Sequence, residues 1–482
     1  MFACSVLATL AALYAAPARA QDREPAPPIP FEALGQALIA AADARRGGEP
    51  TTEGDDPEVL FLRRIEPLHQ RVRLGAIELW VPAVTITCEL ELGPALPLAQ
   101  VAPIAKAALK LERQWTELAG LDGGDAARAK KAFTRIEAWA NSLSAPRLAE
   151  STPELVAEHE WLSACFRRDP SNSKSRGKEK PFGLVMLLAP DRAHYLALLG
   201  AAGVLDGRFQ KWFWDPSGRR SAGTPLYRGS CLVPLSYGPN TDDGPHCESH
   251  PLEPQDRVQL AIHTLSHTVT SNVTPVAPTW FAEGLALFDT IRATGGDETL
   301  CTGVREQTQT MMQLGPGNTA RGPAGMLVWV TREASPYRDG SSPRFFLKEL
   351  AAARDAKRGF AILDLDAGKV AQYERGPLLG ARAVLPDSIV TAPDGVKKGF
   401  AEFFRAYCAA FVDYLFETKL KNDRLLHLVL AELQTRTYDA SQEAPDDLLE
   451  ALEKWTNKSL DPTSAGTDSV ERAFGEWLAR KR

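Results

Sequence analysis

The stretch Phe182-Gly183-Leu184-Val185-Met186-Leu187-Leu188-Ala189 carries no charge and no polar side chain. Eight residues are few for a buried helix, so an uninterrupted run of this length reads as a strand covered on both faces. The elements after it set the fold class. Residues 190–202 show helical spacing, and 207–214 and 228–238 read as strands. A Gly/Pro/Asp loop over 239–255 then leads to two helices, 256–271 and 279–292. Strands first and helices after predict an α+β fold that is mainly helical, with a small mixed sheet preceding the helix pair.

The helix pair carries the chemistry. Val258, Ile262, Leu265 and Val269 form the apolar stripe of the first helix. On the same helix, His263 and His267 are four residues apart, so both project from one side, about 6 Å apart along the axis. Two imidazoles on one turn can supply two ligands of a tetrahedral zinc ion. A carboxylate from the next helix can supply the third, leaving the fourth position to water. Glu283 is that carboxylate's candidate, within the segment Pro278-Thr279-Trp280-Phe281-Ala282-Glu283-Gly284-Leu285-Ala286. Alone, a His-x-x-x-His spacing on an amphipathic helix is commonly chance. Alone, Glu283 is an acid favoured near a helix start by the macrodipole.

Together these two segments resemble the gluzincin metallopeptidases, in particular the peptidase-MA-like group. That family carries HExxH, a short connection, and a helix opening on a W-x-x-E-G-x-A type motif, which Trp280 to Ala286 matches. The segment Ala406 to Leu415 is similar to the family's tyrosine-containing helix, and a Leu-rich helix with Leu425, Leu426, Leu428 and Leu430 comes after it. The resemblance spans residues 182–292 and 399–482. It implies a gluzincin-like fold, Zn2+ as cofactor, and His263, His267 and Glu283 as its ligands. It also implies that Tyr407 can stabilise an oxyanion, although a packed core tyrosine is the commoner role.

The departures from the family bear on activity. The glutamate after the first histidine takes a proton from metal-bound water and passes it to the leaving amine. Here that position is Thr264, whose hydroxyl has no accessible pKa near neutrality. Some gluzincins brace a ligand histidine with an acid one turn after the third ligand. Here Leu287 stands there, and Asp289 lies two residues on and is expected to face elsewhere. The cluster His246-Cys247-Glu248-Ser249-His250, between Pro245 and Pro251, offers Glu248 as a substitute base, or an exposed rigid loop without function. His69, His159, His194 and His427 have no evident partners.

Three functions are therefore expected in competition. The first is a pseudopeptidase that binds zinc and a peptide or protein, with strand 228–238 as a candidate edge for β-augmentation. The second is an active zinc peptidase using Glu248 or another base. The third is a metal-free structural or interaction protein. With 55 Lys and Arg against 61 Asp and Glu, the net charge of −6 argues against a nucleic-acid binder.

Residues 2–17 form a short apolar run ending in Ala18-Arg19-Ala20, as a signal peptidase accepts. Export to the periplasm or exterior is expected, with no membrane span after signal removal. The basic residue that normally precedes such a run is absent. Beyond the signal, six scattered cysteines remain, without a CxxC pair. Disulfides are permitted in an oxidising compartment, and Cys231 with Cys247 is the nearest pair in sequence. The 482 residues suggest about three units. The expected division is a signal over 1–20 and a flexible region over 21–57. An N-terminal α+β region (58–175), a metallopeptidase-like core (176–292), an insertion (293–398) and a C-terminal helical part of the core (399–482) complete it.

Overall fold

The computed structural model describes residues 31–47, 56–118, 123–144, 152–166, 183–205, 224–227, 229–237, 250–252, 254–274, 279–296, 408–420, 423–434 and 447–457, with Val470, Ala473, Phe474, Glu476 and Trp477. The signal segment, the predicted strand 207–214 and the predicted insertion beyond Gly296 lie outside the described residues.

Two helices open the chain, α1 (Phe31–Arg46) and α2 (Pro57–Ile65). They are followed by strands β1 (His69–Arg73), β2 (Ile77–Pro82), β3 (Thr85–Ile86) and β4 (Leu92–Gly93). Three helices come next: α3 (Leu98–Leu118), α4 (Gly123–Ala140) and α5 (Pro153–Phe166). The apolar run forms β5 (Leu184–Ala189), and α6 (Arg192–Leu205) succeeds it. Then come β6 (Thr224–Tyr227), β7 (Ser230–Pro234), β8 (Ser236–Tyr237) and β9 (His250–Pro251), and the helix pair α7 (Pro254–Val273) and α8 (Thr279–Thr294). Residues 408–417 form α9. Strands β10 (Lys419–Leu420) and β11 (Asp423–Arg424) and helices α10 (Leu425–Gln434) and α11 (Asp447–Thr456) complete the described elements. The chain is mostly helical with a small mixed sheet, an α+β fold.

The main sheet has strand order β1-β2-β5-β7-β6. β2–β5 and β5–β7 pair in parallel, and the outer pairs β1–β2 and β6–β7 are antiparallel. Side chains alternate between faces along each strand. Leu79, Met186, Leu188, Cys231 and Val233 therefore meet α3, α7 and α8 on one side. Trp80, Val185, Leu187 and Leu232 meet α1, α2 and α6 on the other. This double covering explains why β5 has no polar position. On the second side α1 and α6 touch through glycine: a Cβ on Gly35 would sit 2.2 Å from the Gly200 carbonyl carbon.

Residues of the predicted N-terminal region thus share a sheet with β5. The tie is reinforced at the β1–β2 turn, where Gly75 adopts φ 124°. There the Glu112 carboxylate of α3 accepts from the backbone amides of Ala76 (2.7 Å) and Ile77 (3.3 Å). Burial pushes the Glu112 carboxyl up to about 8, against the two backbone bonds. This contact seats α3 against the sheet, and α3 in turn lies against α7.

Two expectations need correction. Strand 228–238 is not an edge: β7 lies between β5 and β6, because residues 224–227 fold back antiparallel on it. Cys231 is not in a disulfide. It is a buried free thiol on the α7 side of β7, as is Cys408 on α9, whereas Cys88, in the β3–β4 connection, is disulfide-bonded. Among the described residues no helix is long and apolar enough to cross a membrane.

Candidate metal centre

Helix α7 is rich in hydroxyl and β-branched residues, which are middling helix formers. Those hydroxyls bond back to carbonyls one turn earlier, which satisfies them inside the helix without adding to its stability. Thr264, Thr268, Ser271 and Thr274 donate to the carbonyls of Leu260, Thr264, His267 and Thr270. Its apolar stripe (Ile262, Leu265 and Val269) is fully buried. That orientation turns His263 and His267 toward α8.

Near the start of α8, Glu283 faces them. The two Nε2 atoms stand 3.2 Å apart, His267 Nε2 is 3.1 Å from Glu283 Oε2, and His263 Nε2 is 3.5 Å from Glu283 Oε1. The ligand atoms all lie within 4.8 Å of one another, and the three side chains could hold a metal ion. His263 is fully buried and Glu283 nearly so, whereas the His267 side chain is 21% exposed, so solvent reaches the cluster from the His267 side. Burial would raise the Glu283 carboxyl, but the charge and hydrogen bonds of the two imidazoles overcome it and hold the group well below the usual range. The carboxylate is thus ionised and calls for positive charge opposite it, from an imidazolium or a bound cation.

Gly284 explains the glycine of the motif. A Cβ there would lie 2.7 Å from the backbone oxygen of Cys408, so α9 closes on α8 beside Glu283. Thr264 is 1% exposed, and its hydroxyl donates to the Leu260 carbonyl at 2.8 Å. Its proton is committed to the helix backbone. The structure therefore brings together His263, His267 and Glu283. Glu248 and Tyr407 lie outside the described residues, as do the side chains of Trp280 and His250.

Asp289 does face away from the imidazoles, but it is not idle. It is 1% exposed and receives hydrogen bonds from Ser266 Oγ at 2.5 Å, from Trp115 Nε1 at 2.8 Å and from Gln114 Nε2. Burial raises its carboxyl to about 7 against those donors and the nearby Arg292. Sequence reasoning did not find Ser266, Gln114 and Trp115. The available signal was a lone acid directly after the apolar run Leu285 to Phe288.

His69 and His194, far apart in sequence, meet on the other side of the sheet with ring centroids 6.2 Å apart. His69 Nδ1 lies 2.9 Å from the Ile65 carbonyl, which can only accept, so the His69 proton is on Nδ1. His194 Nδ1 accepts from the Ile86 amide at 3.2 Å, so the His194 proton is on Nε2. Among the described residues no carboxylate joins them into a ligand set, and His263, His267 and Glu283 make up the one cluster of potential metal ligands.

No family model, no curated protein and no solved structure matches this chain.

Proposed function

We propose that this chain is an exported, gluzincin-related protein that holds one zinc ion between His263, His267 and Glu283 and binds a peptide or protein without hydrolysing it. The observation that carries the reading is the spacing of the three ligand atoms. A tetrahedral ion with arms of roughly 2.0–2.1 Å has ligand-to-ligand edges of about 3.3 Å. The Nε2–Nε2 separation of 3.2 Å and the His267 Nε2 to Glu283 Oε2 separation of 3.1 Å lie close to that edge. The other carboxylate oxygen, Oε1, stands 3.5 Å from His263 Nε2, and one ligand atom from each residue can be chosen so that all lie within 4.8 Å of one another. Two neutral imidazole lone pairs and one carboxylate suit zinc's preference for nitrogen and oxygen donors, and three protein ligands leave one position open.

The loss of hydrolysis comes from Thr264. Zinc would supply a polarised water or carbonyl, but no group at this position can take the proton. General acid–base catalysis contributes roughly 10²–10⁴-fold, so any residual turnover is expected to be lower by about that factor. Binding of an extended segment by main-chain pairing remains compatible with the sheet, at its outer strands β1 and β6 rather than at β7.

Equilibrium dialysis followed by elemental analysis tests the metal. One zinc per chain is expected, falling to none in Glu283→Gln, and a metal-free wild-type chain overturns the reading in favour of a structural protein. Casein hydrolysis with and without chelator tests the rest. Chelator-sensitive hydrolysis by the unaltered chain would identify an active peptidase with another base. Hydrolysis appearing only in Thr264→Glu supports a site otherwise intact.

A further inference from the structure

Asp289 joins three helices. It sits on α8, six residues beyond Glu283. Ser266, directly before His267 on α7, donates to its Oδ2 at 2.5 Å. Trp115 of α3 donates to the same oxygen at 2.8 Å, and Gln114 of α3 donates to Oδ1. Arg292 Nε holds Gln114 Oε1 at 3.1 Å from the far side. Both carboxylate oxygens are thus satisfied by neutral donors from two other helices.

A buried carboxylate is costly unless its hydrogen bonds are complete, and losing one partner leaves its desolvation uncompensated. A slide or roll of α8 against α7 would break the Ser266 bond and leave a buried carboxyl oxygen short of a partner among apolar groups. The same slide would separate Glu283 from the two imidazoles, since these residues ride on the same two helices. The penalty at Asp289 therefore opposes the displacement that would open the metal cluster.

We infer that Asp289, through Ser266 and Trp115, is a positioning residue that locks the α7–α8 register and so preforms the site at His263, His267 and Glu283. It touches none of the ligands, and its effect on metal binding runs through the helices. This assignment rests on the metal reading above and deepens it.

The test uses the full chain and Co2+ as a probe, whose visible absorption reports coordination geometry. In Asp289→Asn the amide cannot accept from all three donors. Zinc affinity is expected to fall, by less than the about 10–100-fold seen when a hydrogen-bond partner of a metal ligand is lost, with a changed Co2+ spectrum. Ser266→Ala and Trp115→Phe should shift affinity in the same direction by less, and they carry the test if Asp289→Asn does not fold. Variants that stay folded by circular dichroism yet keep wild-type affinity and an unchanged Co2+ spectrum overturn the assignment. If the wild-type chain binds neither ion, the metal reading fails by itself. The positioning role is then decided by the imidazole NMR signals of His263 and His267 in metal-free protein: a shift in Ser266→Ala supports it, and unchanged signals overturn it.

Discussion

Two histidine pairs lie on opposite sides of the sheet, and they are built to opposite ends. His263 and His267 aim both Nε2 atoms at one ionised carboxylate, with solvent on one flank. His69 and His194 are fixed by backbone partners in complementary tautomers, one Nε2 a lone pair and the other an N–H. For the second pair to ligate a cation through both Nε2 atoms, His194 would have to move its proton to Nδ1 and so lose its bond from Ile86. Proximity of imidazoles is therefore not enough for a metal site. The lone pairs must be free on the converging side, and a negative group must offset the cation's lost hydration.

Glu283→Gln makes the first pair resemble the second and should have the largest effect. Zinc affinity should fall by more than about 100-fold, measured by competition with a chromophoric chelator, because the charged ligand of three is gone. Gln retains most of the packing, so the loss should exceed any change in folding.

Acid should break the second pair next. Burial lowers His69 to about 4 and His194 to about 3 from 6.5, and the Ile65 carbonyl only partly offsets this at His69. The unfolded chain therefore binds protons that the folded chain refuses. The stability these neutral rings contribute is complete above about 6.5 and drains as pH falls toward 4 and 3, at about 1.4 kcal/mol for each tenfold difference in proton affinity. The raised carboxyls of Glu112 and Asp289 work in the opposite direction over this range, so the assignment is read as a difference in urea unfolding between pH 7 and pH 5. The double variant His69→Asn/His194→Asn should lose less stability on acidification than the wild type, and equal changes would contradict the assignment. Glu283 acts in the same direction but lower, its stabilisation fading as pH drops below the ordinary carboxyl range.

Gly284→Ala should cost about 1–3 kcal/mol in urea unfolding, as overpacking does, because its Cβ meets the Cys408 carbonyl. It should also weaken zinc binding while leaving the acid sensitivity of the His69–His194 pair unchanged. The smallest effect sharpens the comparison without mutation. Nitrogen-15 NMR should find His69 protonated on Nδ1 and His194 on Nε2 at neutral pH, and the reverse tautomer at either ring would remove the contrast between the two pairs.

The readable part of the sequence was whatever a few consecutive residues determine. β5 and the helices α6, α7 and α8 emerge from local periodicity, and the convergence of His263 with His267 from i,i+4 spacing. Long-range placement was not legible. Nothing in residues 72–88 shows that β2 would pair in parallel with β5, because strand pairing leaves no local mark. β7 read as an edge since its neighbour β6 is a short turn-back of unremarkable composition. Nearness in sequence suggested Cys231 with Cys247, but the side chain of Cys231 points under α7, where Thr268 bonds it and burial pushes the thiol up to about 12. The Asp289 junction drew donors from α3, more than 170 residues away.

The parallel pairing of β2 with β5 has a practical corollary for anyone trimming the molecule. A fragment starting near residue 176 would keep all three candidate ligands yet strip a flank of main-chain amides and carbonyls from its central strand. It would also leave Asp289 with only the Ser266 donor. Such a piece is expected to stick to its own copies through that bared strand rather than to report on the site. The smallest useful unit for biochemistry begins ahead of β1.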